Sequence, residues 1–410
     1  MASDSNRMPP LAEVQSALYR ITESLATTLG EERAEPPRWS ELEWRLAPAV
    51  ASMHGISPLL ATTLHWQGPA HWCAFLQEQL QHTLLRQRRI EELLARIDER
   101  ARSAGIGVVA LKGAALQAAG VYAAGERPMA DVDLLIHPAD GDTAVAILLA
   151  LSYHDAGTSW KHQGFEPASA ERRAILGEHA DNPIKVDLHQ RICERLPLTP
   201  TDLTDVIYPP HVQPGLNTYP RAAALLAHVL AHAAGSMTHR CLRLIQLCDI
   251  ARLARKMTGA DWEDLARLHG SGRRLWWAAP PLILSERHFA GSIPPEMLAL
   301  LSRDCPRLLR AVAVRRTVSA FSYSYLYIDP VPGLIWARSP GEAVHYLLRR
   351  VFPAKAHLAE MQRAVKTGPW SADHRWHTQS QARRILQWLA LRPTRTASLQ
   401  PVRAALARAQ

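Results

Sequence analysis

Apolar residues recur at helical spacing through the first hundred positions. In the clearest stretch Leu76, Leu80, Leu84, Ile90, Leu94 and Ile97 fall mostly three or four apart, so Leu11 to Ala104 reads as helical, with the last helix ending at Gly105. The period then changes. Ile106 to Leu111 is a short β-type run, Gly113 to Tyr122 a helix of small residues, and Val132 to Ile136 a second strand. Pro138 and Asp140 begin another helix, which reaches about Leu151. A hairpin is expected next, with Ala174 to His179 and Ile184 to Ile192 as its arms around an Asp181-Asn182-Pro183 turn. In the second arm Lys185, Asp187 and His189 share one face and Val186 and Leu188 the other, as in a strand that carries polar groups into a cleft and buries its back. Pro197, Pro200, Pro209, Pro210, Pro214 and Pro220 mark a linker, and helix resumes from Arg221.

This pattern predicts an α+β fold: a small mixed sheet with helices, embedded in a largely helical chain. The expected units are a helical one over 1–104, a mixed one over 105–195, a second helical one over 196–372 and a basic tail over 373–410. No internal repeat is visible. A chain of 410 residues that is 47% hydrophobic can bury a core of two or three packed units. The start, Met1 to Pro10, is polar, and no later stretch has the ~18 uncharged apolar residues of a membrane span, so a cytoplasmic protein is expected. Five scattered cysteines without CxxC spacing argue against a disulfide framework or a cysteine-ligated zinc. The formal net charge is +9, from 47 basic and 38 acidic residues, and no acidic residue follows Asp373. That balance suits phosphate-bearing partners in general, whether nucleotide, nucleic acid or anionic surface.

The chemistry concentrates between Leu111 and Ile136 and in the Lys185–His189 segment. A strand ends at Lys112-Gly113 and a helix begins at once, a place where free backbone N–H groups, a close-approach glycine and a lysine charge together favour an anion. The next strand presents Asp131 and Asp133 on one face. Carboxylates at i and i+2 reach one hard cation, and a third from a neighbouring strand can complete an oxygen cradle of the kind magnesium prefers. Arg127 is placed to hold phosphate through its planar fork, or else to neutralise Asp131 or Asp133. His189 is placed to orient Asp187 or to touch substrate, or else is a surface-strand histidine with neither role.

These residues resemble the core of a bacterial group of nucleotidyltransferases within the DNA polymerase beta-like superfamily. The shared pattern reads Lys112-Gly113, Tyr122, Arg127, Met129, Asp131 and Asp133, and it extends more loosely to Trp44–Leu60, to the VDLH segment and to the later LIQLCDIARL helix. The resemblance implies a catalytic unit over 105–195 with Asp131, Asp133 and Asp187 as metal ligands and catalytic groups. It also implies Mg2+, with Mn2+ as a substitute, and transfer of a nucleotide from a nucleoside triphosphate to an unidentified acceptor. Lys112, Gly113, Arg127 and His189 are the expected phosphate contacts. The superfamily's Gly-Ser pair at the helix start is Lys-Gly here. Transfer of the γ-phosphate on the same fold, or a binding function without catalysis, are the alternatives.

Other features carry less. His228 and His232 sit at i, i+4 without the glutamate of a zinc-protease helix and read as a core or cleft pair. Arg243 and Asp249 read as structural, with the nucleotide pocket as their other possible place. Gly270 to Arg274 lacks P-loop spacing and reads as a turn between helices. Phe321, Tyr323, Tyr325 and Tyr327 alternate as in a strand whose rings either pack inward or stack bases. In the tail, Arg383, Arg384, Arg392, Arg395, Arg403 and Arg408 accompany Ile385, Leu386, Trp388, Leu389 and Leu391. A short amphipathic helix followed by a loose basic end is expected, used for docking an anionic partner or packed on the body.

Overall fold

Helix-period patterning gives four helices at the start of the chain: α1 (Leu11–Gly30), α2 (Glu41–Met53), α3 (Ser57–Thr63) and α4 (Ala70–Ala104). The computed structural model describes residues 8–31, 35–168, 173, 176–196, 199–323, 329, 331–353, 379–390 and 399–408. Ser40 opens α2 with a capping box: its backbone N–H donates to Glu43 at 2.7 Å and its hydroxyl accepts from the Glu43 N–H. Gly105 closes α4 at φ 70°, a conformation that glycine adopts without strain.

After α4 the chain alternates β1 (Gly107–Ala110), α5 (Lys112–Ala118), β2 (Asp131–Ile136), α6 (Gly141–Ala150), β3 (Tyr153–Thr158), β4 (Gln163–Pro167) and β5 (Lys185–His189). Next come β6 (Cys193–Leu196), β7 (Thr199–Asp202), α7 (Thr204–Ile207) and β8 (Gly215–Asn217). Six strands form one mixed sheet in the order β3-β4-β5-β2-β1-β8, and β6 pairs with β7 separately. The β2–β5 and β1–β8 pairs are parallel and the others antiparallel. This is the expected α+β class.

Two expectations are corrected. The partner of β5 is β4, with Phe165 opposite Val186, and not the segment ending at His179. Leu176 to His179 is irregular, while Ala174 and Ile175 lie outside the described residues. The strand that does pair reads Gln-Gly-Phe-Glu-Pro, with one buried ring, Phe165, and so shows almost no alternation to read. The proline-marked linker likewise contains β7, α7 and β8. The three residues of β8 are too few for a period, yet they extend the sheet beyond β1.

The helical chain then continues as α8 (Ala222–Thr238), α9 (Leu244–Lys256), α10 (Gly259–Leu268), α11 (Ala279–His288), α12 (Pro295–Arg303), α13 (Arg307–Arg315), α14 (Pro340–Val351), α15 (Gln381–Ala390) and α16 (Gln400–Arg408). One hydrophobic core joins Leu18, Leu46 and Phe75 of the early helices to Leu226, Ile250 and Leu282 of the late ones, so the sheet is inserted between helices that pack on each other. The second core lies on the back of the sheet. There Val132, Leu134, Val186 and Leu188 pack with Ile90, Leu93 and Ile97 from the far half of α4. No helix among the described residues is long and apolar enough to cross a membrane.

The aromatic run is not a stacking strand where it is described. Ser319 to Phe321 is a 3-10 turn, and Tyr323 is buried, hydrogen-bonded to Thr22 at 2.5 Å and to His54 at 3.1 Å. Tyr325 and Tyr327 lie outside the described residues. The tail forms its amphipathic helix as α15, but α16 beyond it is packed on the body and is not a loose end. Val402 and Ala405 of α16 are buried, Arg45 of α2 donates to the Leu406 carbonyl at 3.2 Å, and Arg408 pairs with Glu78. Arg392 and Arg395 lie outside the described residues.

Candidate active site

The parallel pairing of β2 with β5 sets Asp133 directly beside Asp187 and Asp131 beside Lys185. Residues two apart on a strand face the same way, so the three aspartates share the sheet face that is turned from the Val186–Leu188 core. Asp131 is exposed at the strand start, Asp187 is half-buried and Asp133 is buried.

Asp133 is the centre of the polar contacts. Lys112 Nζ donates to its Oδ1 at 2.8 Å and His189 Nε2 to the same oxygen at 2.9 Å. Burial alone raises a carboxyl; here Lys112 and His189 outweigh it and hold Asp133 well below the usual carboxylate range. Burial also works against the Lys112 ammonium, but Asp133, with help from Asp131, keeps its affinity for the proton above that of an ordinary lysine. Asp187 shows the opposite. Burial first, and then the charges of Asp131 and Asp133, push it up to about 7, although Lys112 and Lys185 pull the other way. Its ring neighbour is His162, 3.4 Å away, which burial and then His189 lower to about 4.

His189 therefore supports Asp133 and not Asp187. His162 was not singled out in the sequence, because it stands at the turn between β3 and β4, two strands with little period of their own.

Arg127 is committed elsewhere. Its Nε and Nη2 each donate at 2.8 Å to Asp249 of α9, and Tyr122 donates to the same carboxylate at 2.7 Å. The ion pair is with Asp249 and not with the strand aspartates, the neutralising partners expected from sequence. It ties the strand approach to the late helices through a bidentate, buried fork. Gly113 is explained by the same pair: a Cβ there would collide with Arg127 Nη1 and come within 2.9 Å of Met129 Sδ, so the missing side chain admits the guanidinium.

Lys112, Arg127, Asp131 and Asp133 line one pocket, whose other walls come from the α2–α3 turn (Ser52, Gly55, Ser57), from Gln79 and Glu178, and from His232, Arg243 and Gln246. His228, next to this wall, bonds the Tyr219 hydroxyl at 2.6 Å, and His232 stands 3.8 Å from Glu194.

Sequence reasoning missed how α4 serves this pocket. Its inward face at mid-length carries Gln79, Thr83, Arg86 and Gln87, all buried, while Leu80 and Leu84 are only partly so. Gln79 grips the Glu178 backbone from both sides, accepting from its N–H at 2.7 Å and donating to its carbonyl at 3.2 Å. Arg86 donates to the carbonyls of Met129 and Ala130 at 2.8 Å, of Asn182 at 2.7 Å and of Pro183 at 3.0 Å. It thereby clamps the residues just before both aspartate-bearing strands. Polar residues at helical spacing within an apolar stripe were the available signal.

Residues 40–276 match the model of an uncharacterised nucleotidyltransferase family. The chain belongs to that family. No curated protein and no solved structure matches it. The matched span runs from the cap of α2 to beyond α10, so every pocket residue named above falls inside it and the helices on both sides of the sheet are part of the nucleotidyltransferase unit.

The site's fit to a divalent cation rests on its donors. Hard carboxylate oxygens at neighbouring register positions suit magnesium. As the side chains stand, no three His, Cys, Asp or Glu groups among the described residues converge closely enough to hold a metal ion, and Lys112 occupies Asp133 instead.

Proposed function

We propose that this nucleotidyltransferase binds a magnesium-complexed nucleoside triphosphate in the pocket and transfers the nucleotidyl group to a hydroxyl-bearing acceptor, with release of pyrophosphate. The observation that carries the reading is the parallel register that sets Asp133 beside Asp187, with Asp131 two residues away on the same face. Magnesium or manganese held by these three supplies neutralisation of the phosphate charge and a lower acceptor pKa. Lys112 balances Asp133 until a phosphate offers its ammonium a second anion. Asp187 completes the metal set and is the candidate base for the acceptor hydroxyl. Arg127, fixed by Asp249, holds the strand approach and adds a positive wall.

The test is a pair of incubations with triphosphate labelled on the α- or the γ-phosphate, with magnesium and candidate acceptors. Label from the α-position on the acceptor, with pyrophosphate released, supports the proposal. Label from the γ-position replaces it with phosphate transfer, and nucleotide binding without any turnover leaves a binding protein. Asp133→Asn should lower turnover by roughly a hundredfold or more, as when transition-state charge goes unneutralised.

A further inference from the structure

Of the three cationic side chains that line the pocket, Lys112 and Arg127 are ion-paired and Arg243 is not paired with any described residue. Its backbone is nevertheless firmly held. The Arg243 N–H donates to Gln246 Oε1 at 2.9 Å, and the Gln246 amide donates to Ser236 at 2.9 Å, so the start of α9 is capped from within. His54 joins this helix start to the α2–α3 turn: its Nδ1 accepts from Leu244 N at 3.1 Å and its carbonyl accepts from Ile245 N at 3.2 Å. The wall that carries Arg243 is tied by these hydrogen bonds, and the guanidinium on it has no ion-pair partner among the described residues.

The adjoining turn supplies a second observation. Ser57 lines the same pocket, is 2% exposed, and its hydroxyl has no hydrogen-bond partner among the described residues. A buried hydroxyl without a partner is costly, and Ser57 stands on the pocket wall. Glu178, the pocket carboxyl that feels the charge of Arg243, is matched by Arg86 at 3.4 Å. What is left over on this wall is one guanidinium fork and one O–H donor, both suited to anionic oxygens.

We infer that Arg243 and Ser57 form a subsite for the terminal phosphates of a nucleoside polyphosphate. The nucleotide part rests on the function proposed above, while the polyphosphate chemistry rests on this wall alone. The arrangement divides the pocket: Asp131, Asp133 and Lys112 face the reacting end, and Arg243 takes the tail that leaves.

Calorimetric titration with inorganic tripolyphosphate, ATP and AMP, each with equimolar magnesium, tests the subsite. Arg243→Gln should weaken tripolyphosphate and ATP roughly tenfold or more and leave AMP unchanged, Arg243→Lys should fall between, and Ser57→Ala should weaken the first two several-fold. Melting curves that match the wild type keep these losses from being unfolding, since Arg243 is exposed and neither side chain bonds another. Unchanged tripolyphosphate affinity in Arg243→Gln, absence of tripolyphosphate binding to the wild type, or equal loss of AMP overturns the subsite. If tripolyphosphate binds through Arg243 and neither ATP nor AMP binds, the subsite stands and the nucleotide reading falls.

Discussion

Lys112 adopts φ 45°, a conformation that costs a non-glycine residue about 1–3 kcal/mol. The strain is held because its ammonium sits on buried Asp133. Replacing Lys112 with Met should therefore lower the stability of the ligand-free protein by on the order of 3 kcal/mol, since one half of a buried pair is left behind. A denaturant titration measures this, and an unchanged midpoint means that His189 suffices for Asp133. Asp187 makes the opposite kind of claim. Its carboxyl is raised from the ordinary 3.8 to about 7, so folding favours its protonated form. The stabilising contribution is complete below about pH 4 and is lost as pH rises to about 7. Relative to wild type, Asp187→Asn should gain on the order of 4 kcal/mol between those limits, and the gain should plateau above them. Parallel curves for the two proteins across that range would show that Asp187 is not the strained group. Asp133 does not confuse the comparison, because its shift is downward and its window lies below that range.

At the scale of elements, α4 joins the two cores and sets the site between them. Its ends are apolar on the inward face, whereas its middle carries the amide and guanidinium that hold loops in place. Arg86→Met should fold less stably by roughly 3–5 kcal/mol, because four backbone carbonyls lose their donor. Amide exchange should also quicken at the starts of β2 and β5 more than elsewhere; uniform exchange would make Arg86 a general core residue instead of a clamp. This face also shows where sequence reasoning reaches and where it stops. β1 and β2 were readable as short apolar runs bounded by turn signals and β5 by its alternation, while the grouping of Asp187 with Asp131 and Asp133 comes from the family resemblance. β4 and β8 were not, one for want of apolar residues and the other for want of length. The Arg127–Asp249 pair joins residues 122 positions apart, and no local period encodes such a contact. Lys112, Arg127 and Asp249 were each noticed in the chain, but who holds whom is decided by packing.

For the whole molecule, the pocket is a product of insertion: helices before and after the sheet share one core, and each contributes a wall. The end of the chain closes that core. Leu399, Val402 and Ala405 are buried, and α16 is tied to α2 through Arg45 and to α4 through Glu78. The positive charge after Asp373 is thus partly used in holding the body together, which leaves less of it to meet an anionic partner than composition suggests. Burial of three small to medium apolar side chains is worth on the order of 3 kcal/mol, and the exposed ion pair adds little to it. Ending the chain at Ser398 should therefore lower the melting temperature by a few degrees and uncover the apolar surface of α2. Pocket affinity for ATP should be retained, because no residue of α16 lines the pocket. Scanning calorimetry and titration of the truncated protein decide between two uses of the same basic segment. A truncated chain that melts with the full one shows that α16 contributes nothing to the body and is free to dock elsewhere, whereas a lower melting temperature with intact ATP binding places it as the last helix of the core.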